Sequence, residues 1–142
     1  MLESLPPGIT WYSATYDTAD IARTFVVPSS DWGSVSGGTY QPHGILPNLN
    51  TNDTHAVKIR NTIASLAAID RRIILVASDI NSVLTIVEGN HRAIAIFADS
   101  FNHNAQDPII QEVFVGVSPN MRQYIFHIEQ YIVPIGVQRP GP

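Results

Sequence analysis

The hexapeptide Val-Glu-Gly-Asn-His-Arg at positions 87–92 holds the residues of this chain that are best suited to chemistry. It follows an apolar segment of strand length and opens into a segment with helical periodicity. At a helix N-terminus the first backbone N–H groups have no acceptor within the helix, and the helix dipole places partial positive charge there. Gly89 permits a sharp turn and the close approach of a ligand. The pattern predicts an anion site of the kind found in strand–loop–helix phosphate binders.

Four residues of this turn are the predicted phosphate contacts, namely Gly89, Asn90, His91 and Arg92. The guanidinium of Arg92 can fork onto two phosphate oxygens, and His91 adds a second donor. Asn90 can cap the helix or donate to the anion. The competing interpretation is a purely geometric turn in which Arg92 makes a surface ion pair.

Glu88 directly precedes the predicted anion site. A carboxylate there is unfavourable unless it binds a metal, accepts a substrate proton or pairs with Arg92. Glu88 and His91 are therefore the candidate catalytic residues, and Glu88 is the candidate metal ligand. Pairing with Arg92, or a hydrogen bond to the loop, is the competing role for Glu88.

The elements that must position this turn follow from the hydrophobic pattern. Helices are predicted over 55–68, capped by Asp53 or Thr54, and over 91–100 and 121–129, and strands over 72–77, 83–87 and 111–117. The continuous apolar run 72–77 is typical of a strand covered on both faces, and it can pair antiparallel with 83–87. The fold class is therefore α/β of mixed type, with a small mixed sheet and packed helices.

The first third of the chain is less regular. Residues 9–16 and 25–27 are predicted short strands, and 18–23 a helical turn capped by Asp17 or Thr18. Residues 29–52 are rich in turn formers and predict a long loop with some fixed structure, in which Trp32 is buried. We predict one domain over 1–142, with a core at 53–117 and N-terminal strands and a long loop at 1–52.

Composition narrows the function classes. The 142 residues are 44% hydrophobic and 14% charged, as expected for one globular domain. The absence of cysteine excludes disulfides, thiolate zinc sites and cysteine nucleophiles. A net charge of −4 with eight Lys and Arg disfavours duplex DNA as the main partner, whereas a small anion needs only one or two cations. No run has the length of a membrane span and the first residues lack an export signal, so we expect a soluble cytoplasmic protein.

Residues 53–117, and above all the segment Gly89–Ala95, resemble the core of the ParB/sulfiredoxin superfamily. In this loop ParB-type partition proteins carry a glycine, a polar residue, two basic positions and a downstream alanine. Sulfiredoxins carry a glycine followed by His-Arg, and free-serine kinases place a similar loop after an acidic residue. The patterns from Trp32 to Gly38 and from Gly116 to Met121 also resemble small bacterial ParB-like nuclease-domain proteins without an assigned reaction.

The resemblance implies a ParB/sulfiredoxin-like fold and a cradle for nucleotide phosphates at Gly89–Arg92, where relatives bind CTP or ATP, usually with Mg²⁺. An enzyme of this kind would be a nucleotide hydrolase or a small-molecule kinase. The alternatives are a non-catalytic nucleotide-sensing or sequestering module and a ParB-like nuclease, which the acidic charge disfavours. Neither a helix-turn-helix pattern nor a cysteine is present, so partition and sulfiredoxin-type thiol chemistry are not expected.

The other candidates are scattered. The histidines show no metal spacing, and all except His91 are interpreted as structural or solvated: His43, His55, His103 and His127. Candidate carboxylates for a metal or a base, with caps or turns as the alternative, are Asp17, Asp20 and Asp31. Candidates for stacking on a nucleobase, with core packing as the alternative, are Trp11, Tyr12 and Trp32. The apolar tail 133–137 packs either on its own domain or across a homodimer.

Overall fold

The computed structural model describes residues 5–66, 72–102, 111–124 and 128. These ranges form a mixed α/β structure. The strands are β1 (Thr10–Tyr16), β2 (Ile73–Ala77), β3 (Thr85–Glu88) and β4 (Gln111–Val117). The α-helices are α1 (Thr18–Ala22), α2 (Ser30–Val35), α3 (Pro42–Ile45), α4 (Thr54–Ala64) and α5 (Asn90–Asn102), and 3₁₀-helices cover Leu46–Asn48 and Pro119–Gln123.

The four strands form one mixed sheet in the order β1-β4-β2-β3. Strand β4 pairs antiparallel with β1 and parallel with β2, while β3 pairs antiparallel with β2. This confirms the predicted mixed sheet and the predicted antiparallel pair over 72–77 and 83–87. All residues of β2 except the half-buried Ile74 are buried, as expected for a strand covered on both faces.

Two apolar clusters cover the two faces of the sheet. Helices α4 and α5 pack on each other, and the larger cluster combines their inner residues with alternate sheet residues such as Leu75, Ile86 and Val113. On the other face, Val76 and Val87 pack with Met121 and Tyr124 from the segment after β4. The sheet is therefore packed on both faces, and the turn that follows β3 leads directly into α5.

In the N-terminal third, β1 and α1 agree with the predicted strand over 9–16 and helical turn over 18–23, whereas the following segments differ. Residues 25–27 do not form a strand, because only Phe25 makes a β-bridge, which pairs it with Thr85. The Phe25 N–H donates to the Leu84 carbonyl (3.0 Å), and the Phe25 carbonyl accepts from the Ile86 N–H (2.8 Å). The ladder does not continue, because the Val26 N–H donates to the Tyr40 carbonyl (2.9 Å) and the Val27 N–H to Oδ1 of Asn90 (3.2 Å). The segment 29–52 is more regular than the predicted loop with some fixed structure, since it contains α2, α3 and a 3₁₀-helix, and Trp32 is buried as predicted.

The predicted element ends shift in three places. Helix α4 begins after its predicted cap Asp53, whose carboxylate accepts the N–H groups of His55 (2.8 Å) and Ala56 (3.2 Å), but it ends at Ala64 rather than 68. Helix α5 is longer than predicted. In place of the start of a helix over 121–129, a 3₁₀-helix follows Ser118, whose hydroxyl accepts from the Asn120 N–H. In the described ranges, no helix has the length and apolarity needed to cross a membrane.

Candidate functional site

Gly89 forms the turn between β3 and α5 with a positive φ of 86°. The helical ladder begins with the N–H of Ala93 donating to the Gly89 carbonyl (2.9 Å), so the N–H groups of residues 90–92 precede it. A Cβ at position 89 would lie 2.6 Å from the carbonyl oxygen of Arg72. The glycine is therefore required by both the backbone conformation and the close approach of the residue leading into β2.

A β-bulge re-aims the end of β3 just before this turn. Ile74 pairs with Glu88 and Leu75 pairs with Ile86, so β3 carries one extra residue, Val87, between these pairs. Bulges bend the bulged strand and are frequent beside active sites. Here both Ile86 and Val87 are buried while Glu88 is exposed at the sheet edge.

The turn lines a cavity of about 370 Å³, which we call the α5 pocket. Its two walls are the segment 27–32, through Val27, Ser29, Asp31 and Trp32, and the segment Val87–His91. Of the predicted site residues, the structure brings Glu88, Gly89, Asn90 and His91 into the lining. Asp31 and Trp32 join them from the opposite wall.

Asn90 holds the two walls together. Its side-chain oxygen accepts the Val27 N–H (3.2 Å), and its amide nitrogen donates to the Ile86 carbonyl (3.3 Å). The predicted role of Asn90 as a side-chain donor to an anion thus competes with two protein hydrogen bonds. Its backbone N–H, in the first turn of α5, is the group it offers to a ligand.

Arg92 lies beside the α5 pocket rather than in its lining. Its Nη1 donates to the Arg72 carbonyl (2.9 Å) and lies 3.8 Å from Oε1 of Glu88. The ion pair proposed as the competing role of Glu88 is therefore present, at the outer edge of ordinary ion-pair distances. Both side chains are partly exposed, so the pair is weak.

Three side chains from distant parts of the chain form a hydrogen-bonded row at this pocket. Nε2 of His55, in the first turn of α4, lies 2.7 Å from Oδ2 of Asp31 in α2. Nδ1 of the same ring lies 2.8 Å from Nε2 of His91 in α5. The indole of Trp32 stacks on His55, with ring centroids 3.8 Å apart and planes 16° from parallel.

The electrostatics indicate the charge states of the two ends of the row, Asp31 and His91. Hydrogen bonds from the Ser29 hydroxyl and from His55 hold the pKa of Asp31 down at about 2. Burial, followed by charge repulsion from His55 when that ring is protonated, from Lys58 and from Arg92, lowers the pKa of His91 to about 4. At neutral pH Asp31 is therefore a carboxylate and His91 is neutral.

His55 is the site residue that the sequence interpretation missed. The sequence predicts a structural or solvated histidine at this position, whereas His55 is buried between Asp31 and His91. One signal was present in the sequence. His55 precedes Ile59 and Ile63 at four-residue intervals, so it shares the inward face of its helix.

Other candidates lie away from the α5 pocket. Asp17 and Asp20 form the capping box of α1, which is the capping role given as their alternative. Trp11 and Tyr12 are exposed on β1 and do not line the pocket. His43 contacts the ring edge of Phe97, with centroids 4.9 Å apart. His103, His127 and the tail 133–137 lie outside the described residues.

The α5 pocket offers Glu88 as a single carboxylate ligand for a cation. In the part of the chain that the structure describes, no group of three or more His, Asp or Glu side chains converges to hold a metal ion. His55 cannot serve as a ligand with either nitrogen while both are hydrogen-bonded. No protein-family model, curated protein or solved structure matches this chain.

Proposed function

We propose that the α5 pocket binds a nucleotide or another small phosphorylated ligand, and that the protein hydrolyses or transfers the bound phosphoryl group. The observation that carries this proposal is the opening of the first turn of α5, a helix of 13 residues, into a cavity of about 370 Å³ lined by Glu88 and His91. Free N–H groups and the positive end of the helix dipole then lie at one solvent-accessible pocket.

Two cations support an anionic ligand. Lys58 and Arg92 lie close enough to His91 for the positive charge of each to lower the pKa of the His91 ring. Lys58 is the sole lysine of the chain, and it lies on α4, whereas Arg92 lies on α5. Only Nη1 of Arg92 is engaged with protein groups in the described residues, so the guanidinium keeps donors for phosphate oxygens.

Mg²⁺ suits Glu88, the carboxylate of this pocket that is not engaged with His55. Asp31 and Glu88 both line the pocket, and two negative charges would oppose a phosphate without a neutralising cation. Mg²⁺ is commonly held by one or two carboxylates together with substrate phosphates and water, and Glu88, which has no short ion pair, fits that requirement. The ion would neutralise charge on the transferring phosphoryl group.

The same features support a ParB/sulfiredoxin-like fold for this chain. The order of β2, turn, β3, glycine loop and α5 matches the part of the sequence that resembles this superfamily. That resemblance favours ATP or CTP among nucleotides. A purely sensing or sequestering module is the competing proposal, and the row Asp31–His55–His91 favours catalysis because binding alone requires no such row.

Thermal unfolding with a ligand panel tests binding. Purified protein is titrated with ATP, CTP, GTP, ADP and inorganic phosphate, with and without Mg²⁺, beside Arg92→Ala. At about 100 times its dissociation constant a ligand stabilises the fold by roughly 2.7 kcal/mol. The matched control is Arg23→Ala, which removes another arginine of a surface ion pair, outside the α5 pocket.

We expect a shift with one nucleotide that is lost in Arg92→Ala and retained in Arg23→Ala. No shift with any member of the panel, or an equal shift in both variants, would contradict the proposal. Product analysis after long incubation with the stabilising nucleotide and Mg²⁺ then separates an enzyme from a sensor. A steep salt dependence of duplex binding would instead favour the ParB-like nuclease.

A further inference from the structure

The row Asp31–His55–His91 has only one arrangement of protons when both rings are neutral. The ionised carboxylate of Asp31 accepts hydrogen bonds only, so Nε2 of His55 must carry its proton. A neutral imidazole has one N–H, so Nδ1 of His55 is an acceptor. Nε2 of His91 must therefore donate to it, which leaves a lone pair on Nδ1 of His91.

We propose that Asp31, His55 and His91 form a proton relay that makes Nδ1 of His91 the general base of the α5 pocket. His91 is the catalytic residue, because it lines the cavity and its Nδ1 has no hydrogen-bond partner among the residues that the structure describes. His55 and Asp31 are positioning residues that act through it. This inference rests on the proposed function for its substrate, a phosphorylated ligand.

The relay moves positive charge away from His91. When Nδ1 of His91 accepts a proton, its Nε2 proton passes across 2.8 Å to Nδ1 of His55. The resulting imidazolium lies between the Asp31 carboxylate, 2.7 Å from Nε2, and the face of Trp32 at 3.8 Å. Both neighbours stabilise a cation, through charge pairing and a cation–π contact. His91 itself, near Lys58 and Arg92, is unfavourable for positive charge.

The chemical step assigned to the relay is the activation of water for attack on a phosphoryl group. The O–H bond of water breaks, and its proton bonds to Nδ1 of His91. The electron pair of that bond forms the new P–O bond, while the P–O bond to the leaving group breaks. The leaving oxygen keeps the electron pair and takes a proton from solvent.

Histidine ¹⁵N NMR of the ligand-free protein tests the relay directly, because it reports which ring nitrogen carries a proton. The signals of His55 and His91 are assigned with His55→Gln and His91→Gln. With both rings neutral, we expect each to carry its proton on Nε2. A proton on Nδ1 of either neutral ring would overturn the proposal, since His91 would then have no lone pair for the pocket or His55 no acceptor for His91.

Asp31→Asn tests the end of the relay. Removing the carboxylate should lower, by about one pH unit or more, the midpoint at which the His55–His91 pair takes up its first proton. The charged groups around the pair are Asp31 from α2, Lys58 from α4, Glu88 from β3 and Arg92 from α5, and only the first is changed. The matched control is Asp79→Asn, which removes the same charge from an exposed turn.

Asp31 is exposed, so the variant should fold, and urea unfolding verifies this. An unchanged midpoint in a folded Asp31→Asn protein, or an equal change in Asp79→Asn, would overturn the relay. The NMR readout needs no ligand. If the protons lie as expected but no nucleotide of the panel binds, the relay is supported and the phosphate proposal is contradicted. If a nucleotide binds but the protons lie elsewhere, only the relay is contradicted.

Discussion

Nδ1 of His55 lies 2.8 Å from Nε2 of His91, and this contact joins the first turn of α4 to the first turn of α5. The two residues are 36 positions apart in the chain. Helices α4 and α5 pack on the same face of the sheet, and their N-terminal ends meet at the α5 pocket. Asp31 and Trp32 close the arrangement from α2.

Stability should fall as pH drops through the range set by His91. Its pKa is about 4 in the folded protein and near 6.5 in an unfolded chain, so the unfolded state binds more protons between these values. With respect to His91, the free energy of unfolding has its full value above about pH 6.5 and decreases as the pH falls towards 4. Urea unfolding of the wild type and of His91→Gln at about pH 7.5, 6.0, 5.0 and 4.5 measures this loss of stability.

The wild type should lose on the order of 1 to 2 kcal/mol more than His91→Gln between neutral pH and about pH 4.5, after allowance for solvent screening of the partly exposed ring. Equal pH slopes for the two proteins would show that His91 has an ordinary pKa. The effect of Asp31 appears at lower pH, since its pKa is about 2.

Gly89→Ala should destabilise the fold for two separable reasons. The positive φ of 86° is strained for alanine by about 1 to 3 kcal/mol, and the new Cβ would meet the Arg72 carbonyl at 2.6 Å. The matched control is Gly37→Ala, which has a positive φ of 63° and nothing within 4 Å of its Cβ. Urea unfolding should show the larger loss for Gly89→Ala. A loss equal to that of Gly37→Ala would mean that the contact with Arg72 is relieved without cost.

Asn90→Ala should destabilise the protein and loosen the α5 pocket. The buried Val27 N–H would lose its acceptor, and the Ile86 carbonyl would lose a donor, at a cost of about 1 to 3 kcal/mol. Asn90→Asp keeps the acceptor for Val27 but not the donor, so its loss should be smaller. Thermal unfolding of the three proteins gives the order. The reverse order would contradict a clamp in which the bond to Val27 is the stronger.

Lys58→Gln should weaken phosphate binding with little effect on stability. Lys58 is exposed, and its charge acts on the pocket from a distance, so the loss should be about 1 kcal/mol, or roughly fivefold in affinity. Calorimetric titration with ATP and Mg²⁺ at low and high salt measures it. Lys58→Arg should retain affinity. Weakening that persists unchanged at high salt would argue against an electrostatic role.

Local features of the sequence predicted the elements around the site because their causes are local. Asp53 caps α4 through bonds to the next residues of the chain, and the apolar run 72–77 needs only its own composition to indicate a covered strand. The turn at Gly89 between β3 and α5 was predicted for the same reason. Its glycine and the change from strand to helix pattern stand next to each other in the sequence.

The tertiary structure alone decided which side chains meet at that turn. The pairing of β4 between β1 and β2, and the bridge from Phe25 to Thr85, depend on long-range hydrogen bonds that no local pattern specifies. Those contacts bring α2 to the N-terminal ends of α4 and α5. Asp31, His55 and His91 therefore meet because three distant elements share one core, whereas the glycine turn follows from residues adjacent in the chain.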